Sequence, residues 1–137
     1  AFASRGVVDA EKAAAEKRRG DEAFIRGDNA TAVEAYASSL ACDDANAKVW
    51  ANRSAARLKL GHFAAAARDA KISRAIDKGY VKAWYREGCA LTELGDYESA
   101  AVAFFEGMQI DGDNKDLKRG FDDAIARGRK AHAAAKK

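Results

Sequence analysis

Three glycines recur at a constant interval of 34 residues in this chain of 137 residues, at Gly27, Gly61 and Gly95. Three alanines and three aspartates keep the same interval, at Ala32, Ala66, Ala100, Asp43, Asp77 and Asp111. A period of 34 residues is typical of stacked pairs of antiparallel helices. In such arrays each pair buries its apolar face only against its neighbours. The period therefore predicts an all-α array of three helix pairs.

The composition agrees with a folded array of this kind. Hydrophobic residues make up 48% of the chain and charged residues 33%, which suits a domain with a sizeable core. The net charge of +3 is too small to indicate nucleic-acid binding by itself, and no apolar run is long enough for us to expect a membrane span. Cys42 and Cys89 lack the spacing of metal ligands, which favours reduced thiols in a reducing, cytoplasmic setting. Because the chain begins with Ala1 rather than Met, we expect it to be part of a larger protein.

Apolar periodicity and turn residues predict seven helices. Their expected ranges are about Asp9–Arg26, Ala30–Ala41, Ala47–Leu60, Phe63–Ile76, Tyr80–Leu94, Tyr97–Ile110 and Lys115–Ala134. The first helix of each pair is expected to end at one of the repeating glycines, which can take the left-handed conformation there. Asn29 and Asp96 are expected to cap the second and sixth helices. The seventh helix breaks the period, because Arg129 stands where a fourth glycine would fall, and is predicted to be a solvating cap.

Small residues at matching places explain how the two helices of a pair could approach each other. Gly20, Ser54 and Gly88 are also 34 residues apart and lie on the first helices. Large aromatic residues on the second helices, Tyr36 and Phe104, are expected to fill the space beside them. Two further aromatics, at positions 50 and 84, begin the first helices of the second and third pairs, and we interpret them as core packing.

The third unit resembles the tetratricopeptide repeat. It carries that pattern at Trp84, Gly88, Leu91, Gly95, Asp96, Tyr97, Ala100 and Phe104. The resemblance implies a right-handed α-solenoid of three repeats over residues 9–113, at about 13–46, 47–80 and 81–113, followed by a capping helix and basic tail at 114–137. It also implies a protein–protein interaction adaptor rather than an enzyme, with no cofactor.

Polar residues on the first helices would converge on the concave face of such an array, because those helices line it. The residues at groove-facing positions are Lys17, Asp21, Asn52, Lys82 and Arg86. Two lysines, an arginine and an amide gathered in one groove form an anion site. The guanidinium group can grip a carboxylate with two parallel hydrogen bonds, and an ammonium group acts as a point charge.

This set resembles the carboxylate clamp of co-chaperone tetratricopeptide domains. In that subfamily, five side chains on the first, third and fifth helices hold the C-terminal Glu-Glu-Val-Asp peptide of Hsp70 and Hsp90 heat-shock chaperones. Lys17, Asn52, Lys82 and Arg86 match the subfamily in type and spacing. The resemblance implies that such a peptide is the partner of this chain.

Asp21 departs from the clamp pattern, since it stands where the family has an asparagine. An ionised aspartate only accepts hydrogen bonds and repels a ligand carboxylate. Asp21 could pair with Lys17, and it could weaken the clamp, make it pH-dependent or indicate another ligand. Phe24, Ala55 and Leu58 lie beside the polar set, where Phe24 and Leu58 could contact an aliphatic ligand side chain or belong to the core between repeats.

Two other function classes are compatible with the sequence. A scaffold could bind an internal helix in the groove without any need for a carboxylate. The basic last helix could attract nucleic acid or a membrane, although we favour a solvated surface there. Catalysis finds little support, because His62 and His132 are not spaced for a metal pair and have no recognisable nucleophile partner.

Overall fold

The computed structural model describes residues 8–136, and within that range it consists of seven α-helices with no strand. The helices are α1 (Ala10–Ile25), α2 (Asn29–Cys42), α3 (Ala47–Lys59), α4 (Phe63–Ile76), α5 (Val81–Glu93), α6 (Tyr97–Ile110) and α7 (Lys115–Ala135). The all-α prediction is confirmed, and the expected helix ends agree with the observed ones to within one residue. Sequence-adjacent helices pack against each other throughout, from α1 on α2 to α6 on α7.

The three repeating glycines end the first helix of each pair, as predicted. Gly27, Gly61 and Gly95 have φ values of 85°, 80° and 81°. After α1, the amide of Asp28 donates to the carbonyl of Ala23 at 2.8 Å, and the amide of Gly27 donates to the carbonyl of Phe24 at 3.0 Å. This pattern is the Schellman motif, which needs a residue in the left-handed region. The period of 34 residues is thus a period of helix stops.

The helix caps confirm one sequence prediction and correct another. Asp96 caps α6, because its carboxylate accepts from the amide of Ser99 at 3.2 Å. The prediction of Asn29 as the cap of α2 is wrong. Asp28 is the cap, its carboxylate accepts from the amide of Thr31 at 3.2 Å, and Asn29 is the first helical residue. Aspartate and asparagine are equally good caps, so residue type alone did not separate these neighbours.

The core consists of two clusters of buried residues that follow one another along the array. The first lies between the first two helix pairs and contains Ala23, Ala32, Tyr36, Leu40, Val49 and Ala56. The second extends to the last helix and contains Ala66, Ala67, Ala90, Leu91, Ala100, Ala101, Phe104, Leu117 and Ala124. The alanines that repeat every 34 residues are fully buried in them.

Close approach of the paired helices depends on the small residues of the first helices, as the sequence predicts. A Cβ atom on Gly20 would lie 2.6 Å from Cε1 of Tyr36, and one on Gly88 would lie 2.6 Å from Cε1 of Phe104. In the second pair, the hydroxyl of Ser54 instead donates to the carbonyl of Ala66 at 2.7 Å. At Gly20 and Gly88, the second helix therefore lies too near for a side chain on the first.

The two tryptophans combine packing with hydrogen bonding to the preceding turn. Their indole Nε1 groups donate to the carbonyls of Asp44 and Lys78, six residues earlier, at 2.8 and 2.9 Å. Each half-buried ring also packs against an arginine that makes a salt bridge, Arg53 to Asp69 and Arg74 to Glu87. The prediction of plain core packing was therefore incomplete, because these rings also fix the turns between units.

Gly88→Ala is expected to destabilise the protein. The ring of Phe104 cannot retreat from the new methyl group, because Gly120 of α7 contacts its other side closely enough that a Cβ there would lie 2.5 Å away. We expect a loss of up to about 2 kcal/mol in the free energy of unfolding, since overpacking costs about 1–3 kcal/mol and the helix-propensity gain offsets about 1 kcal/mol of it. Urea denaturation measures this. Gly112→Ala is the control, because the nearest atom lies at 3.6 Å there, and equal stabilities of the two variants would contradict the packing argument.

Candidate anion-binding groove

The first helices of the three pairs enclose a groove of about 330 Å³. Its lining residues are Asp21, Phe24, Ile25, Tyr36, Ala51, Asn52, Ala55, Lys82 and Arg86. Six of the eight residues that the sequence singled out are among them. The other two lie at its borders, since Lys17 contacts Asp21 and Leu58 lines a neighbouring cavity. The helical repeat brings these residues together, because it places one face of each first helix on the same surface.

The carboxylate of Asp21 accepts hydrogen bonds from three different helices. Lys17 Nζ on α1 donates to Oδ2 at 2.8 Å, Tyr36 Oη on α2 donates to Oδ1 at 2.5 Å, and Asn52 Nδ2 on α3 donates to Oδ1 at 3.2 Å. The pairing of Lys17 with Asp21, which the sequence left open, is therefore present. Two of the four residues that match the clamp are engaged by a carboxylate of the chain itself.

This arrangement divides the groove into two halves. The closed half consists of Lys17, Asp21 and Asn52, whose charges sum to zero. The open half consists of Lys82 and Arg86, one turn apart on α5, and among residues 8–136 neither of these makes an ion pair. The open half therefore carries the net positive charge of the groove and has donors available to an incoming anion.

The ion pair of the closed half contributes modestly to stability. The side chains of Lys17 and Asp21 are 30% and 34% exposed, so water and salt screen their attraction, and pairs of this kind contribute about 0–1 kcal/mol. The hydrogen bond to Tyr36 has greater weight. Tyr36 is only 1% exposed, and a buried hydroxyl without a partner costs about 1–3 kcal/mol.

Three residues that line the groove, Ile25, Ala51 and Tyr36, were not among those that the sequence predicted for it, and Tyr36 was assigned to the core. It does belong to the core, but its hydroxyl reaches Asp21. Burial, and then the hydrogen bond to Asp21, raise the pKa of Tyr36 well above its usual range, so the phenol remains a donor. One signal was available, because the third unit has Phe104 at the equivalent place and the tyrosine therefore adds a buried hydroxyl that needs an acceptor.

A second cavity of about 630 Å³ continues from the groove, and Ala55 and Arg86 line both. Its remaining walls come from α3 to α7 and are formed by Leu58, Lys59, Phe63, Tyr85, Cys89, Thr92, Glu93, Phe104, Asp116, Arg119, Gly120, Asp123 and Arg127. The floor is apolar and the rim is charged. The last helix, predicted to be only a solvating cap, forms one wall of this cavity. Its arginines 119 and 127 pair with aspartates of the same helix.

Phe24 and Leu58 lie at the border between core and cavity, and their contact with a ligand stays a prediction. Each is half-buried against a core cluster, and each also lines a cavity, Phe24 the groove and Leu58 its continuation. Cys89 lines the larger cavity as well. Burial raises the pKa of its thiol above the ordinary value, which keeps the thiol protonated at neutral pH.

Comparison with known proteins identifies relatives of this chain by sequence and by structure. No protein-family model matches the chain. Hsp70-Hsp90 organizing protein 1 of Arabidopsis thaliana is 45% identical over 118 residues, covering 86% of this chain. The chain spans only 21% of that relative's length.

Two solved structures each match more than four fifths of the chain. The second TPR domain of human RPAP3, solved in complex with the Hsp70 peptide SGPTIEEVD, is 32% identical with a TM-score of 0.82, over 84% of this chain and 96% of that one. The first TPR domain of Spaghetti (RPAP3), bound to the Hsp90 peptide SRMEEVD, is 26% identical with a TM-score of 0.85, over 87% and 94%.

The fold is thus a helical repeat array with a polar concave groove. The chain belongs to the tetratricopeptide repeat family. Within residues 8–136, no helix has the length and apolar character that crossing a membrane requires.

Asp21→Ala is expected to destabilise the protein because it leaves the hydroxyl of Tyr36 buried without an acceptor. The expected loss is about 1–3 kcal/mol in urea denaturation. Asp21→Asn keeps an acceptor oxygen, so its free energy of unfolding should fall less than that of Asp21→Ala. Adding Tyr36→Phe to Asp21→Ala should cost less than the sum of the two single variants. Strict additivity would show that the hydrogen bond does not couple these residues.

Cys89 is expected to react slowly with iodoacetamide at pH 7.5, because its raised pKa leaves little thiolate. In a Cys42→Ser background, mass spectrometry can follow this thiol alone. The rate should rise several-fold when the protein is unfolded in urea, and in the folded protein it should keep rising above pH 9. Equal rates in the folded and unfolded protein would contradict the buried environment.

Proposed function

We propose that this domain is a peptide-binding adaptor of the co-chaperone type, which holds the acidic C-terminal Glu-Glu-Val-Asp peptide of Hsp70 or Hsp90 chaperones in its groove. The observation that carries the proposal is the open pair of cations, Lys82 and Arg86, beside an apolar continuation of the groove. Further support comes from the similar TPR domains that were solved with Hsp70 and Hsp90 peptides. Binding, rather than catalysis, is the proposed activity.

The groove suggests how such a peptide would be held. Arg86 would grip a carboxylate with its planar fork, and Lys82 would add a point charge beside it. The residues that precede the acidic end would then extend past Ala55 into the larger cavity, where Leu58 and Tyr85 offer apolar surface. In this arrangement the charged end gives orientation, and the apolar floor contributes area removed from water.

A second candidate is a scaffold that binds an internal helix without a carboxylate requirement. The observation that favours it is Asp21, whose negative charge lies in the groove and engages Lys17 and Asn52. Such a ligand would bind equally well with neutral ends, which separates the two candidates.

Three further assignments, of repeat boundaries, cellular setting and the longer protein, are also proposals. We propose that the repeats divide at about 13–46, 47–80 and 81–113, within a repeat region at 9–113, and that residues 114–137 form the cap and its tail. We also propose a cytoplasmic setting, in keeping with the thiol state of Cys42 and Cys89. The chain is proposed to be part of a longer adaptor, as its 21% share of the Arabidopsis relative suggests.

The test is a calorimetric titration with the peptide Met-Glu-Glu-Val-Asp and with a neutral-ended twin that carries a C-terminal asparagine amide. The acidic peptide should bind, and the twin should bind at least about tenfold more weakly, because both carboxylates of its last residue are gone. Arg86→Ala should weaken binding of the acidic peptide about tenfold or more. Arg68→Ala is the control, since Arg68 is exposed on α4 and lines neither cavity. Equal binding of the two peptides would favour the scaffold.

A further inference from the structure

Asp21 already has the surroundings that a bound carboxylate would have. An ammonium group, an amide N–H and a phenol hydroxyl from three helices converge on its two oxygens at 2.5–3.2 Å. Ammonium, amide and hydroxyl groups can all donate hydrogen bonds to a carboxylate, and two of these three donors, Lys17 and Asn52, are residues that match the clamp. The carboxylate of Asp21 thus occupies, from within the chain, one of the anion positions that the groove would offer.

A ligand carboxylate cannot share this position. Lys17 and Asn52 already donate to Asp21, and an ionised carboxylate offers no donor in return. A second carboxylate placed against the same donors would lie beside Asp21, and the two negative charges would repel each other. Displacing Asp21 would also remove the acceptor of the buried hydroxyl of Tyr36. Three separate contacts therefore keep the closed half occupied.

The open half can still bind an anion. Lys82 and Arg86 lie on the same face of α5, line the groove and have no ion-pair partner among residues 8–136. They belong to a helix that contributes nothing to the contacts of Asp21. An acidic ligand can consequently engage α5 while the closed half stays intact.

We propose that Asp21 replaces one of the two carboxylates of the ligand's terminal residue, so that this groove recognises an acidic C-terminus through a single carboxylate held by Lys82 and Arg86. The inference rests on the proposed function. It defines a broader ligand class, namely peptides whose last residue carries one suitably placed carboxylate, whether or not the second is present.

Four peptides test this inference in the unmodified domain. They are Met-Glu-Glu-Val-Asp as the free acid, its C-terminal amide, Met-Glu-Glu-Val-Asn as the free acid, and the amide of that last peptide. The first has two carboxylates on its terminal residue, the next two have one each, and the last has none. We expect the better of the two singly charged peptides to bind within about threefold of the first, and the neutral-ended one at least about tenfold more weakly.

Asp21→Asn supplies the contrast, because the amide keeps an acceptor for Tyr36 and adds a donor toward the ligand. In this variant the doubly charged peptide should bind at least about tenfold more tightly than either singly charged peptide. Glu22→Gln is the matched control. It removes the same charge from the next residue of α1, which is exposed and does not line the groove, and it should behave like the unmodified domain.

The outcomes separate the inference from the proposed function. If removal of either carboxylate weakens peptide binding to the unmodified domain by about tenfold or more, the groove binds both carboxylates. The inference is then wrong while the proposed function stands. If none of the four peptides binds the unmodified domain, the proposed function is wrong and the inference falls with it. The comparison in the unmodified domain is decisive even if the variant folds poorly.

Discussion

The close approach of the two helices in a pair is the constraint on which the rest of this structure depends. Gly20 and Gly88 leave no room for a side chain, because an aromatic ring of the second helix lies directly against them. That contact fixes how far the second helix lies from its partner in the first and third pairs. It also fixes where the far end of the ring falls. In the first pair the ring is that of Tyr36, so the packing contact places a hydroxyl group at Asp21 and thereby determines the chemistry of the groove.

Asp21 consequently serves stability and opposes binding through the same atoms. Its carboxylate satisfies a buried phenol, which apolar packing alone would leave without a partner. The same carboxylate neutralises Lys17 and engages Asn52, which reduces the attraction of the groove for anions. An asparagine would satisfy the phenol without the negative charge. The replacement of the clamp asparagine by Asp21 therefore changes the charge of the groove while it preserves the packing. For this reason the fold is the same as that of a domain with the asparagine.

Much of the fold could be predicted from the sequence because its determinants are local and repeated. A glycine that ends a helix, such as Gly61, acts through its own backbone conformation. Because this glycine recurs every 34 residues, the same helix end can be recognised in all three units. The polar residues of the first helices were predictable for a related reason, since one repeat places Asn52 and Arg86 on the same face. The role of Tyr36 depends on a contact between two helices, and the wall that α7 adds to the larger cavity depends on tertiary packing. The wall formed by α7 leaves no periodic trace, and the hydroxyl of Tyr36 shows only as a difference from Phe104 at the equivalent place.

The asymmetry of the groove follows from comparing equivalent positions in the three units. The place of Asp21 is taken by Ala55 in the second unit and by Cys89 in the third, and the place of Tyr36 is taken by Ala70 and Phe104. At these two places a carboxylate and a hydroxyl thus occur together only in the first pair, while the third pair has a half-buried thiol and an aromatic ring. The carboxylate and its three donors therefore lie at the α1 end of the groove, and the cavity toward α7 combines the half-buried Leu58, Phe63 and Tyr85 with charged residues of α7. A ligand with an acidic terminus and an apolar segment before it would have one favourable direction, with its charge at α5 and its chain running toward the last helix.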